Sequence, residues 1–328
     1  MLVLKADPWL PDYGMGFDVN VDDTPAAVDV FVESEDWTTA RAPIRGGAKQ
    51  TVVFVDGVRR AELRLVADQD GQRAIGLFGS YAVGTVTCEL RAMFTSFEVG
   101  RAIVLGSGLM PPQIRVACGG TQIEFTPANE PGSDPDGPLL RLQSLMRHDE
   151  SRLAAQAADE SDCLVLCDGP IGFLDLKRSP VVGVIKRFSR LYLDPEREQL
   201  LTRLQPGQRT PLFGIADIAG RTRLYAWYLR LVPLRPEWHD RAGLVRCELA
   251  SGVGIAEAVR VADQVTGLLP GYSGRPSDPR APQNLAPIAG LESWLRHRMG
   301  DGQLIRRALL SYVSAPTMAE AITSEART

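Results

Sequence analysis

The chain alternates between short apolar runs of strand length and longer stretches with helical spacing. "TVVFVD" (51–56) is apolar without interruption up to Asp56, and "VRRAELRLVAD" then alternates polar with apolar. The first pattern suits a strand covered on both faces, the second a strand with one wet face. Asp56-Gly57 between them reads as a hairpin turn, because Asp-Gly between apolar runs is the strongest short hairpin signal. A third strand is predicted over "RAIGLFGSYAVGTVTCEL", bent at its glycines. Residues from about 91 to 137 read as a β-rich insertion, with a strand pair around "QIRVAC" and "TQIEFTP" before a Pro/Gly/Asp loop.

Beyond that loop, Leu139, Leu142, Leu145, Met146 and Leu153 recur at a helical period. The strand "CLVLCD" follows and again ends on Asp-Gly, at Asp168-Gly169. Here Pro170 fits a hairpin ladder poorly. "SPVVGVIKRFSR" is a short buried strand or a helix start. Strands are predicted for "TPLFGIAD", "RLYAWYLRLV" and "GLVRCELA", then a helix over "GIAEAVRVADQVTGLL" and an amphipathic helix over roughly 288–311. Residues 1–45 carry few regular patterns, yet Trp9, Tyr13, Phe17 and Trp37 suit an arm that contacts the body, a second copy or a partner. The expected division is that arm, a body over 46–315 and a tail over 316–328.

Composition narrows the class. With 328 residues, 45% hydrophobic and 23% charged, the chain can build a proper core. Five cysteines without paired spacing suit reduced thiols. No apolar run reaches membrane-spanning length and the first residues lack a signal-peptide core, so a cytoplasmic protein is expected. A net charge of −4 disfavours general polyanion binding but leaves room for a local basic groove. There is no phosphate-binding G-x-x-x-x-G-K-[ST] loop, so the chain has no motor of its own.

Placed in order, the elements read β-β-β-α-β, the fold class being α/β with a ribonuclease H-like mixed central sheet flanked by helices. Asp56 closes the first strand and Asp168 the strand after the helix. Glu150 lies on that helix in "RHDESR", beside Asp149, helical phase deciding between the two. Convergent carboxylates on rigid elements are what two divalent ions need to sit about 3.5–4 Å apart for phosphodiester hydrolysis.

"VVFVDGVRR", the acidic helix residue, "LVLCDGPIG" and "VVGVIKR" resemble the successive motifs of the NurA nucleases, and the resemblance covers most of the chain after residue 50. It implies a DNA nuclease that uses two Mn2+ or Mg2+ ions and works as a homodimer on DNA ends with a HerA-like hexameric ATPase. The activity expected is a 5'-3' exonuclease, an endonuclease or both. It further implies Asp56, Glu150 and Asp168 as metal ligands and Lys186 on a phosphate. The family's last ligand, often a histidine, is unclear here: Asn284 stands near the expected place, with Asp278 as competitor.

Arg59, Arg60, Lys177, Arg187 and Arg190 are candidate DNA-backbone contacts or an ordinary solvated edge. Glu62 and Glu89 are expected to be exposed strand carboxylates. Tyr225, Trp227 and Tyr228 are mostly core, with one face able to stack a base. A catalytically weak nuclease-fold scaffold on an ATPase ring is the alternative reading, and a ribonuclease H-like RNA-processing enzyme a third.

Overall fold

A computed structural model describes residues 2–7, 27–42, 50–160, 163–171, 180–187, 191–217, 219–274 and 283–315. In chain order the strands and helices are β1 (Leu2–Ala6), β2 (Val28–Asp29), β3 (Val52–Gln69), β4 (Gln72–Cys88), β5 (Ala92–Leu105), β6 (Ile114–Cys118) and β7 (Thr121–Asn129), then α1 (Gly137–Glu160). They continue with β8 (Leu164–Asp168), β9 (Val181–Ile185), α2 (Pro195–Arg203), β10 (Phe213–Ala216), β11 (Thr222–Arg230) and β12 (Leu244–Ala250). Three helices follow: α3 (Ile255–Leu268), α4 (Ala286–Arg298) and α5 (Gly302–Ser314).

Among the described residues these strands form one sheet, ordered β2-β10-β11-β12-β9-β8-β3-β4-β5-β7-β6, with β1 added to the far half of β3. The uninterrupted apolar runs explain the centre. "VVFV" of β3 and "LVLC" of β8 lie side by side in parallel, with β9 parallel to β8. Strands covered on both faces carry no alternation. On one face Phe54, Leu166 and Val184 pack under α3 and α4. On the other Val53, Val55, Val165 and Cys167 pack under α1. The mixed α/β class and the β-β-β-α-β order are as expected, but the strands that fill that order differ.

The expected turn at Asp56-Gly57 is absent, because β3 runs straight through it. Asp56 pairs with Gly84 of β4, and Val55 pairs with Cys167 of β8. The hairpin lies instead at Asp70-Gly71, where φ is 53° and 87°, the doubly positive geometry of a tight β-turn. Two expected strands thus merge into one, and the third strand of the core order is β5. The stretch assigned to an insertion from about 91 therefore begins with a strand of the main sheet, and only β6 and β7 project beyond it.

The expected long C-terminal helix is two helices. Gly300, at φ 87°, breaks the chain, and Asp301 caps α5 by accepting from the Gln303 and Leu304 amides. The N-terminal region is partly built into the body. β1 pairs with β3 from Leu2↔Gln69 to Ala6↔Leu65. Trp37 is buried, and Glu33 grips the buried Arg209 at 2.8 Å. Trp9, Tyr13 and Phe17 lie outside the described residues. Trp227 and Tyr228 are fully buried on opposite faces of β11, and Tyr225 is half-buried on the Trp227 face. No described helix is long and apolar enough to cross a membrane.

Gly183 on β9 fixes how the chain leaves β8. A Cβ there would stand 2.6 Å from the Gly169 carbonyl oxygen, a backbone atom that cannot swing aside. Gly183→Ala is predicted to cost about 1–3 kcal/mol through overpacking, read as a lower urea midpoint at unchanged m-value. An unchanged midpoint refutes the close packing of β9 on the turn after Asp168.

Candidate metal centre

Three carboxylates meet at the end of the parallel strand pair. Asp56 and Asp168 project from β3 and β8 towards the α4 face. Glu292 reaches down from α4, and ligand-capable oxygens of all three lie within 4.8 Å of one another. Asp56 and Glu292 are buried and Asp168 is partly exposed, so the cluster opens on the Asp168 side. The strand alternation explains the aim: residues 54, 56 and 58 of β3 and 164, 166 and 168 of β8 share one side.

Glu292 was not foreseen, although the sequence carried a signal. Ile288, Leu291, Glu292 and Leu295 follow the spacing of the buried stripe of α4, and all four are buried. An acid in an apolar register is a functional candidate. The motif resemblance points instead to Asn284, ahead of the helix. Asn284 is buried in the turn before α4, where its carbonyl accepts from the Gly274 amide. It precedes Glu292 by eight residues, about two helical turns. Asp278 lies outside the described residues.

Glu150 approaches from the opposite face. Its carboxylate lies where a Gly57 side chain would be: a Cβ built on Gly57 would stand 2.5 Å from Glu150 Oε1 and 2.9 Å from Met146 Cγ. The glycine is therefore a close-approach position within a strand. Arg147 holds this side together. Its Nη1 donates to Glu150 Oε2 at 2.9 Å and to the Asp168 carbonyl oxygen at 2.7 Å. Its neighbour Asp149 points away and accepts from the Tyr81 hydroxyl at 2.7 Å. Arg147 too was missed in the sequence, where its only signal was the i, i+3 spacing to Glu150.

Electrostatics follow from this crowding. Burial, then the charges of Asp168 and Glu150, push the Asp56 carboxyl well above its ordinary range, while Lys186 opposes the shift. Burial likewise raises Glu150, against the pull of Arg147. Lys186 Nζ lies 2.7 Å from Asp168 Oδ2, and Arg296 lies 3.0 Å from Glu292. One oxygen of Asp56, Oδ2, is buried with no hydrogen-bond partner. A buried acceptor left unsatisfied is costly, and the three carboxylates, one hard oxygen from each, fit a hard divalent cation.

The remaining expectations separate. Arg60 is engaged in the fold, bonding Glu62 at 2.8 Å and the Gly300 carbonyl at 3.1 Å. Glu62, expected on the surface, is 2% exposed; the register shift between Ala61 and Leu63 and its pairing with Arg60 account for the difference. Glu89 is exposed at the β4–β5 turn and accepts from Thr51. Arg59 is half-buried and Arg187 exposed. Lys177 and Arg190 lie outside the described residues.

No family model matches the chain, and no curated protein matches it. Among solved structures, it is similar to the NurA nuclease from Sulfolobus solfataricus, at 13% identity over 84% of this chain and 86% of that one, with a TM-score of 0.47. It is also similar to Ciona intestinalis endonuclease V in complex with an inosine-containing DNA, at 9% identity over 79% and 90% of the two chains, with a TM-score of 0.31.

The raised Asp56 carboxyl has a stability consequence with a definite sign. A carboxyl whose folded pKa exceeds its unfolded value stabilises below the unfolded pKa and loses that contribution as pH rises through the folded pKa. In chelator, Asp56→Asn should therefore gain thermal stability relative to wild type as pH rises from the ordinary aspartate range to neutrality. Melting of both proteins across that range reads the difference. A difference that is flat or falls with pH contradicts the burial and like-charge crowding of Asp56.

Proposed function

We propose that this protein is a divalent-metal-dependent deoxyribonuclease whose metal is held by Asp56, Asp168 and Glu292. The observation that carries the reading is the convergence of these three acids from two parallel strands and a helix, with one buried Asp56 oxygen, Oδ2, left without a hydrogen-bond partner. Without a cation such a cluster opposes folding; with one it becomes a rigid oxygen cage. A bound divalent ion supplies Lewis-acid polarisation of a phosphodiester and a lowered pKa for water.

The chain's own groups supply the rest. Lys186, beside Asp168 at the partly exposed side, would neutralise a non-bridging phosphate oxygen. Arg147 fixes the Asp168 backbone from behind the sheet. Three carboxylates serve one ion. A second ion would draw on Glu150, which Arg147 holds across β3. DNA rather than RNA, work on DNA ends and a HerA-like hexameric ATPase rest on the motif resemblance in residues 50–190.

A catalytically weak scaffold is the second reading. It is favoured by the internal counter-ions: Lys186 pairs with Asp168, Arg147 with Glu150 and Arg296 with Glu292. Mn2+ calorimetry separates the two, because the scaffold shows no carboxylate-dependent binding.

Asp56→Asn, Asp168→Asn and Glu292→Gln should each slow Mn2+-dependent DNA degradation on the order of 100-fold or more, with melting showing that the variants fold. Asn284→Ala should retain activity if it folds. Full activity in a folded Glu292→Gln protein removes Glu292 from the ligand set, and full activity in Asp56→Asn or Asp168→Asn ends the assignment.

A further inference from the structure

The end of β8 holds a cation as firmly as it holds an acid. Gly169, the residue after Asp168, has φ 105°. A Cβ built there would stand 2.9 Å from Arg147 Nη2, 3.1 Å from Nη1 and 3.3 Å from Cζ. The guanidinium is thus pressed against the glycine, and glycine alone meets both the positive φ and the close approach without strain. Nη1 donates to Glu150 Oε2 at 2.9 Å and to the Asp168 carbonyl oxygen at 2.7 Å. Burial works against the charge of Arg147, but the carboxylates of Glu150, Asp56 and Asp168 outweigh it and raise its pKa. An arginine is charged in any case at the pH where a protein folds.

The balance of charge leaves room for one divalent ion. Asp56, Asp168 and Glu292 have metal-ligand spacing, and Glu150 lies outside that group. Against these four carboxylates stand Lys186 on Asp168, Arg147 on Glu150 and Arg296 on Glu292. With every carboxyl ionised, one negative charge is left over. One divalent ion turns it into one positive charge, which the single negative charge of a phosphodiester cancels. A second ion would leave three positive charges in a largely buried centre, where like charges repel strongly. Position agrees with charge. Glu150 commits Oε2 to Arg147, and its buried Oε1 lies against Gly57, on the opposite face of β3 from Asp56.

We propose that the centre takes a single divalent ion per chain, and that Arg147 is a built-in cation standing in for the second ion that the motif resemblance implies. The inference rests on the metal-dependent reading of Asp56, Asp168 and Glu292. In it Arg147 is a positioning residue. Its guanidinium keeps Glu150 out of the ligand set and holds the backbone of Asp168 from behind the sheet. Gly169 supplies the flat surface against which it rests. Removing the arginine's charge would leave Glu150 with two uncompensated oxygens beside Asp56, a setting that draws in a second cation.

Counting Mn2+ bound to the full chain by equilibrium dialysis, with electron paramagnetic resonance on the bound ions, tests this. The wild type should hold one Mn2+ per chain without spin coupling between ions, and Asp56→Asn should bind it at least about tenfold more weakly. Arg147→Met keeps much of the side chain's length and loses its charge. It should hold two ions, coupled as expected for a pair about 3.5–4 Å apart. Adding Glu150→Gln to that variant should return the count to one. Arg147→Gln, which can still donate to the Asp168 carbonyl, serves if Arg147→Met does not fold, with melting as the check. The wild-type count needs no variant at all. A wild type that binds two coupled ions overturns the proposal, and so does a folded Arg147 variant that stays at one. A wild type without carboxylate-dependent Mn2+ binding is a separate failure, which ends the metal-dependent reading itself and this inference with it.

Discussion

Asp56 is the constraint around which the centre of this molecule is arranged. Its carboxyl is buried, one oxygen has no hydrogen-bond partner, and three other acids act on it. Like charges in a dry environment repel strongly, and a buried carboxylate left to itself takes up a proton. The surrounding fold limits this cost on two sides. Lys186 stands at the rim, bonded to Asp168, and Arg147 stands behind the sheet, bonded to Glu150 and to the backbone of Asp168. The cations lie at the edges of the site, so the middle retains a concentration of negative charge that a small divalent ion complements.

The backbone around Asp56 serves the same constraint. β3 changes character at this residue: before it, the strand is apolar on both faces between α1 and the α3–α4 layer, and after it, the strand becomes part of an antiparallel wall. Gly57 stands at the change. Its missing side chain admits Glu150 and Met146 from α1, so the acid of one helix comes close to β3 from below while Glu292 of another approaches Asp56 from above. A larger residue at 57 would push α1 away and separate Glu150 from the field of Asp56. The site is thus a product of layer packing, three layers thick, rather than of any one motif.

This explains what could be read in the sequence. Asp56 and Asp168 were legible because each ends an uninterrupted apolar run, and such runs mark strands at the centre of a sheet. Glu150 rested on the motif resemblance, since the sequence alone left it beside Asp149 with helical phase to decide. The Asp56-Gly57 turn was misread because Asp-Gly is a strong local hairpin signal, and local chemistry gave way to pairing on both sides of the strand. The pair that does turn, Asp70-Gly71, lies in a polar stretch with less contrast. Glu292 belongs to the apolar stripe of α4, whereas the motif resemblance points to the loop before it. Which loop or helix closes over a strand end is decided by tertiary packing, and one sequence gives little sign of it. Glu62 illustrates the same limit, since a register shift and the reach of Arg60 bury a residue that alternation placed in water.

Two sides of α4 explain how a helix of 13 residues can serve both the acidic centre and the aromatic face of β5. Glu292 and Leu295 face the sheet, where a Cβ on Gly84 would meet Leu295 and Leu291. Trp294 and Arg298, a turn apart on another side, meet the phenylalanines of β5. Gly84 is itself the β4 partner of both Asp56 and Phe97. One glycine thus lets the helix sit close enough for Glu292 to reach Asp56 and for Trp294 to reach Phe94. A displacement of α4 along or away from the sheet would change both contacts together. Rigid helix and paired backbone are the physical link between the two contacts.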